Sequence, residues 1–133
     1  MHDAIAQWAL RLIRERADAA EMARKRACKK FSNRRVHKLR TQSRRLRAAL
    51  EDLCDCLPHA EDLMECSHTV GDATGKVRDA TVLIEQLERY HRFSFFEERA
   101  EIEKLERVLK RRRKKCTGEA KEAVRHIDLK VKA

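Results

Sequence analysis

Residues 35–50 read Arg35-Val36-His37-Lys38-Leu39-Arg40-Thr41-Gln42-Ser43-Arg44-Arg45-Leu46-Arg47-Ala48-Ala49-Leu50. Val36, Leu39, Ser43, Leu46 and Leu50, continued by Leu53 and Leu57, step by three and four throughout. A seam of this kind belongs to a helix packed nearly parallel or antiparallel to its neighbours. It predicts a helix over about 34–57. Ser32 or Asn33 is a fitting cap at its start, since the side-chain oxygen of either accepts from an orphan N–H. Pro58 is a fitting stop, because proline cannot donate and crowds the turn before it.

The flanking segments follow the same period. Ile5, Trp8, Leu12, Ala20, Ala23 and Ala27 predict a first helix over about 3–28. Leu63, Ser67, Val70, Thr74, Val77, Thr81 and Ile84, then Leu87 and His91, predict a third over about 60–92. Gly71 and Gly75 within it each cost about 1 kcal/mol against alanine, so a single long helix with a weak point there is expected. Phe93-Ser94 makes the turn. Ile102, Leu105, Leu109, Cys116, Ala123 and Ile127 predict a fourth helix over about 95–130, with Gly118 a potential break and a fraying end. With 3 Gly, 1 Pro, 5% aromatics and no strand alternation, the expected class is all-α. The expected architecture is an antiparallel up-down four-helix bundle, one domain over 1–133.

Charge is dense and unevenly placed. The chain carries 32 Lys+Arg and 22 Asp+Glu, a net +10. Residues 22–50 contain no acid and 12 of the bases: Arg24, Lys25, Arg26, Lys29, Lys30, Arg34, Arg35, Lys38, Arg40, Arg44, Arg45 and Arg47. Taking 12 from 32 leaves 20 bases against 22 acids elsewhere. The whole surplus lies in one window, which points to a polyanionic partner.

A helical wheel at about 100° per residue, with Val36 at zero, puts the apolar seam at roughly 260–360°. His37, Arg40, Arg44 and Arg47 fall at roughly 100°, 40°, 80° and 20°, a stripe about 15 Å long beside the core face. Lys38 and Arg45 fall near 200° and 180°, on the back. Like charges in such a row disfavour an isolated helix, whereas forked guanidinium donors match phosphate oxygens. Two readings stand at this point: anion binding, or a solvated face paired with acids of a neighbouring helix.

Residues 36–50 resemble the signature helix of the conserved histidine α-helical domain (CHAD) family, V-H-x-L-R-x-x-x-R-R-L-R-x-x-L. Gly75-Lys76-Val77-Arg78-Asp79-Ala80-Thr81-Val82-Leu83 resembles the family's G-x-x-R-D-x-x-V-L. The two matches cover residues 34–90 closely and occur in the family's order. The resemblance implies a helical domain whose basic groove grips inorganic polyphosphate, in a family associated with polyphosphate granules; five cysteines in a helix-rich chain lead to the expectation of a reducing cytoplasm. It maps the binding role onto His37, Arg40, Arg44, Arg45, Arg47 and Arg78. Lys30, Arg34 and Lys38 join them from the basic window. Asp79 also matches the second motif, where an ion pair with a neighbouring helix is the competing role for it and for Arg78. Thr41 and Gln42 depart from the apolar or small residues usual at those positions. The family normally carries two four-helix units, and one is read here. The expected remedy is a homodimer in which two chains pair about a two-fold axis, their basic stripes facing a shared channel.

Other chemistry is thin. His2, His59, His68, His91 and His126 are scattered, and the pairings His59 with Glu61 or His68 with Asp72 lack two histidines at i,i+4 spacing. Cys54 and Cys56 would point about 200° apart on a helix, and Cys28, Cys66 and Cys116 lack metal-ligand spacing. Five cysteines as reduced, buried small hydrophobes is the expectation. No nucleophile–base pair, glycine-rich phosphate loop or apolar carboxylate pair is visible, so neither an enzyme nor a cofactor is expected. No run reaches the roughly 18 apolar residues of a membrane span, and the N-terminus lacks the order of a signal peptide. Lys110–Lys115 would join the anion surface if the fourth helix flanked the second. The alternative function is nucleic-acid binding. It needs stacking aromatics, and the basic window offers only Phe31.

Overall fold

The structure, a computed structural model, describes residues 2–131. Four helices follow one another: α1 (His2–Lys29), α2 (Asn33–Leu53), α3 (Ala60–Arg92) and α4 (Arg99–Arg125), with no strand among the described residues. The fold is an all-α helical bundle. Ser32 caps α2, its hydroxyl accepting from the Arg35 amide at 3.3 Å.

The α2 seam is as the heptad spacing predicts: Val36, Leu39, Ser43, Leu46 and Leu50 are all buried. The helix ends at Leu53, earlier than expected, and Cys54–Cys56 form a 3-10 turn. Glu51, Asp52 and Asp55 oppose the negative end of the helix dipole there. Pro58 also forces Leu57 into an extended conformation (φ −124°, ψ 120°).

α3 runs unbroken through Gly71 and Gly75. Its seam of Leu63, Ser67, Val70, Thr74, Val77, Thr81 and Ile84 is buried. The hydroxyls are satisfied within the helix, with Thr74 donating to Val70 O at 2.7 Å, Thr81 to Val77 O at 3.0 Å and Ser67 to Met64 O at 2.7 Å. Small polar residues let α2 approach closely, and Ser43 donates across to Ser67 O at 3.2 Å.

Two outer-helix expectations are corrected. In α1 the buried stripe is Ala9, Ile13, Ala17, Ala20, Ala23 and Ala27, while Ile5 and Trp8 are more than half exposed. Ala20, Ala23 and Ala27 are buried as expected, and near the start the buried Ala9 and Ile13 each follow by one residue the expected Trp8 and Leu12. In α4, a 3-10 turn (Phe96–Glu98) precedes the helix, Gly118 does not interrupt it, and the helix stops at Arg125. The described residues beyond Arg125 do not fray as expected: Leu129 is fully buried in the main core cluster.

That tail is held by a buried clip. Glu21 accepts from Arg24 Nη2 at 2.8 Å and from the Leu129 amide at 3.2 Å. Arg24 also donates to Val124 O at 3.0 Å. Burial raises the Glu21 pKa, but the Arg24 guanidinium and the Leu129 amide outweigh it, leaving the carboxyl below its ordinary value.

α1 packs on α2, α2 on α3, and α3 on α4. The start of α2 lies beside Thr81, since Asn33, His37 and Thr81 line one cleft. The rest of α3, to Arg92, therefore projects with its α4 partner about 15 Å past that end. His91 pairs with Glu106 across this hairpin at 3.1 Å.

Candidate functional site

The α2 stripe faces α3 along a groove. Arg40 donates from Nη1 to the Gly71 carbonyl at 3.1 Å, where an unsubstituted helix turn leaves the backbone reachable. Its guanidinium then covers Gly75, where a Cβ would lie 2.8 Å from Nη1. Arg47 crosses the same helix lower down and donates to His68 Nδ1 at 3.3 Å. A Cβ at Gly71 would sit at an ordinary 3.7 Å from its Nη1. The two glycines that looked like flaws in α3 are the floor on which two arginines lie.

His37, Arg40 and Arg78 line one small cleft of about 20 Å³ with Val36, Val77 and Thr81. Arg78 therefore stands on the opposite wall from His37, as the two sequence motifs imply. Arg44 is exposed, and helix periodicity sets it beside Arg40 and Arg47, four residues after the one and three before the other. The groove walls thus carry His37, Arg40, Arg44, Arg47 and Arg78. Arg47 has one acid near it, Glu51 at 3.7 Å, in an exposed pair of little energetic weight. His68, one of the scattered histidines of the sequence, belongs to this set. Its spacing of three, seven and ten residues before Gly71, Gly75 and Arg78 is the signal that puts it on the groove face.

The remaining predicted residues lie elsewhere. Lys30, Arg34 and Lys38 line a pocket of about 400 Å³ between α1 and α2, with Arg26 and Arg35. Arg35 is tied into the scaffold there, donating to Arg26 O at 2.7 Å. Arg45 is exposed on the back of α2, where the wheel puts it. Lys110–Lys115 stand on α4, which packs on α3 and not on α2. The run lies on the projecting hairpin, off the groove.

A model of the CHAD domain matches residues 11–130. The chain belongs to the CHAD domain family. No curated protein and no solved structure matches it. CHAD domains are associated with polyphosphate binding and are binding domains, not typically catalytic ones. In this CHAD domain the two motif segments, on α2 and α3, face each other across the groove.

Among the described residues no group of three or more His, Cys, Asp or Glu could hold a metal ion. The side chain of His2 lies outside them. The cysteines are not the buried small hydrophobes expected: Cys28 and Cys54 are exposed, Cys56, Cys66 and Cys116 half-buried. Cys54 and Cys56 sit on the 3-10 turn, not on the helix assumed for them. No described helix is long and apolar enough to cross a membrane.

Proposed function

We propose that this CHAD domain binds inorganic polyphosphate non-catalytically along the α2–α3 groove, through His37, Arg40, Arg44, Arg47 and Arg78. The observation that carries the reading is Arg40 laid over Gly71 and Gly75. It aligns a guanidinium between two helices that both present cations. Planar, permanently charged donors suit tetrahedral phosphate oxygens. A groove without a specificity pocket suits a polymer whose repeat is only phosphate. Lys30, Arg34, Lys38 and Arg45 form an outer basic surface that the chain contacts after leaving the groove. Such a domain places its protein at polyphosphate granules in the cytoplasm.

Nucleic acid is the second reading, since it shares the electrostatics. What weighs against it is the lack of exposed stacking groups in the basic window 22–50, the exposed aromatics lying outside it, Trp8 on α1 and the others on the α3–α4 hairpin. Phe31, the one aromatic of the basic window, is half-buried beneath Lys121, whose ammonium lies 5.9 Å from its ring centre.

The test is competition among long-chain polyphosphate, short polyphosphate and single-stranded DNA at fixed ionic strength. Long-chain polyphosphate is expected to win at equal phosphate concentration. DNA displacing it overturns the preference. The joint change of His37, Arg40, Arg44 and Arg47 to Ala is expected to abolish binding with the helical spectrum kept. Unchanged binding removes the groove from the assignment.

A further inference from the structure

The projecting α3–α4 hairpin is the most apolar exposed part of the molecule. At its tip Phe93, Phe95 and Phe96 are 87%, 74% and 83% exposed. Tyr90 and Leu83 on α3 and Leu105 and Val108 on α4 are each about half exposed. The three phenylalanines and Tyr90 alone leave roughly 600 Å² of aromatic surface in water. Exposed aromatic area on that scale is unusual for a small monomeric protein.

The charges along α4 identify what covers this face. Residues 97–106 hold Glu97, Glu98, Glu101, Glu103 and Glu106 against Arg99 and Lys104. Residues 107–115 hold Arg107 and the run Lys110–Lys115 with no acid. The acidic stretch leads into α4 and the basic stretch fills its middle turns, with Leu105 and Val108 at the junction. On one face, Glu101, Leu105, Val108, Arg112 and Lys115 follow each other at steps of four and three, a heptad stripe. All five are exposed.

Turned end for end, this stripe matches itself. In antiparallel pairing, Leu105 meets Val108 of a second copy and Glu101 meets Arg112, each contact occurring twice. A self-complementary patch of this kind is what a two-fold, isologous interface requires. It also sets the two α4 dipoles head to tail. We propose that the outer face of α4 is the interface of a homodimer, centred on Leu105 and Val108. This pairing leaves the α2–α3 grooves outside the interface, in place of a shared channel, and does not depend on the polyphosphate reading. A lipid surface is the weaker occupant, since the charges flanking the phenylalanines, Arg89, Arg92 and Arg99 against Glu88, Glu97 and Glu98, cancel and give no pull toward anionic headgroups.

Sedimentation of the full chain at micromolar concentration tests the pairing. The unaltered protein is expected to run as a dimer, and Leu105→Asp with Val108→Asp as a monomer with unchanged helicity. Glu101→Arg opposes like charges twice and is expected to weaken the dimer about tenfold. Adding Arg112→Glu to it restores the opposite signs and the dimer. A monomeric unaltered protein, a dimer indifferent to these changes, or failure of the double reversal to rescue overturns the proposal. So does a monomer that floats with zwitterionic vesicles through Phe93, Phe95 and Phe96.

Discussion

The guanidinium of Arg40 occupies the space that a side chain at Gly75 would need, with a Cβ there 2.8 Å from Arg40 Nη1. Separations that short are not tolerated, and the yielding group is the far end of a flexible arginine. Gly75→Ala is therefore expected to move Arg40 off α3 without damaging the fold. Replacing a mid-helix glycine gains up to about 1 kcal/mol of helix stability. Losing one aligned phosphate contact costs about fivefold in affinity. Gly71→Ala is the control, since its Cβ meets Arg47 at an ordinary 3.7 Å. Titration calorimetry with polyphosphate, paired with thermal melts, reads both. Equal affinities for the two variants would remove Gly75 as a positioning residue for Arg40.

Groove cations and outer cations differ in salt dependence. A phosphate contact releases condensed counterions, so each lost contact flattens the plot of log K against log salt by about 0.7 for a single-stranded polyanion. Arg44→Gln, on the groove wall, is expected to show that change. Arg45→Gln, on the back of α2, is expected to show a smaller one. Affinities measured across a salt series decide the order, and a larger change for Arg45 would move the binding face to the back of the helix.

The inner pair of helices was legible because its seam residues have one role each. Val36 to Leu50 and Leu63 to Ile84 keep strict three–four steps and are buried as read. The outer helices mix sizes. Trp8 looked like an anchor and is exposed, whereas the small Ala9 beside it is buried. A wheel ranks hydrophobicity and cannot see which helix lacks a neighbour at that level. The stripe His37, Arg40, Arg44, Arg47 was readable for the same periodic reason. His68 was not, since its role comes from Arg47 reaching across from another helix. The buried Glu21 was invisible too, because its partner Leu129 is far away in sequence and attached through a tail that only tertiary packing orders.

The core makes a simpler prediction. Leu46 is fully buried in the main cluster that joins α1, α2 and α3. Leu46→Ala removes its contacts and leaves a cavity, a cost of about 3 kcal/mol. For a chain of this size that lowers the melting temperature by roughly 10 °C. Calorimetry reads it, and a shift within a degree or two would mean that the site collapses or that Leu46 is not packed as described.

The Glu21 clip gives stability a dependence on pH. Burial works against the charged carboxylate, but Arg24 and the Leu129 amide hold it below the ordinary 4.5 of glutamate. The folded state therefore binds this proton less readily than the unfolded chain. The stabilisation is fully present above the unfolded value and is lost as pH falls from about 4.5 through the lower folded value. Glu21→Gln keeps the size but removes the charge facing Arg24, at a cost of about 2 kcal/mol near neutrality. Because the variant has no carboxyl to titrate there, its deficit should shrink as the acid limb is descended. Urea unfolding at a series of pH values reads the convergence. Amide exchange at Leu129, faster in the variant at neutral pH, reports whether the tail is what loosens. A deficit that stays constant down to pH about 3 would place the effect of Glu21 in packing and not in its charge.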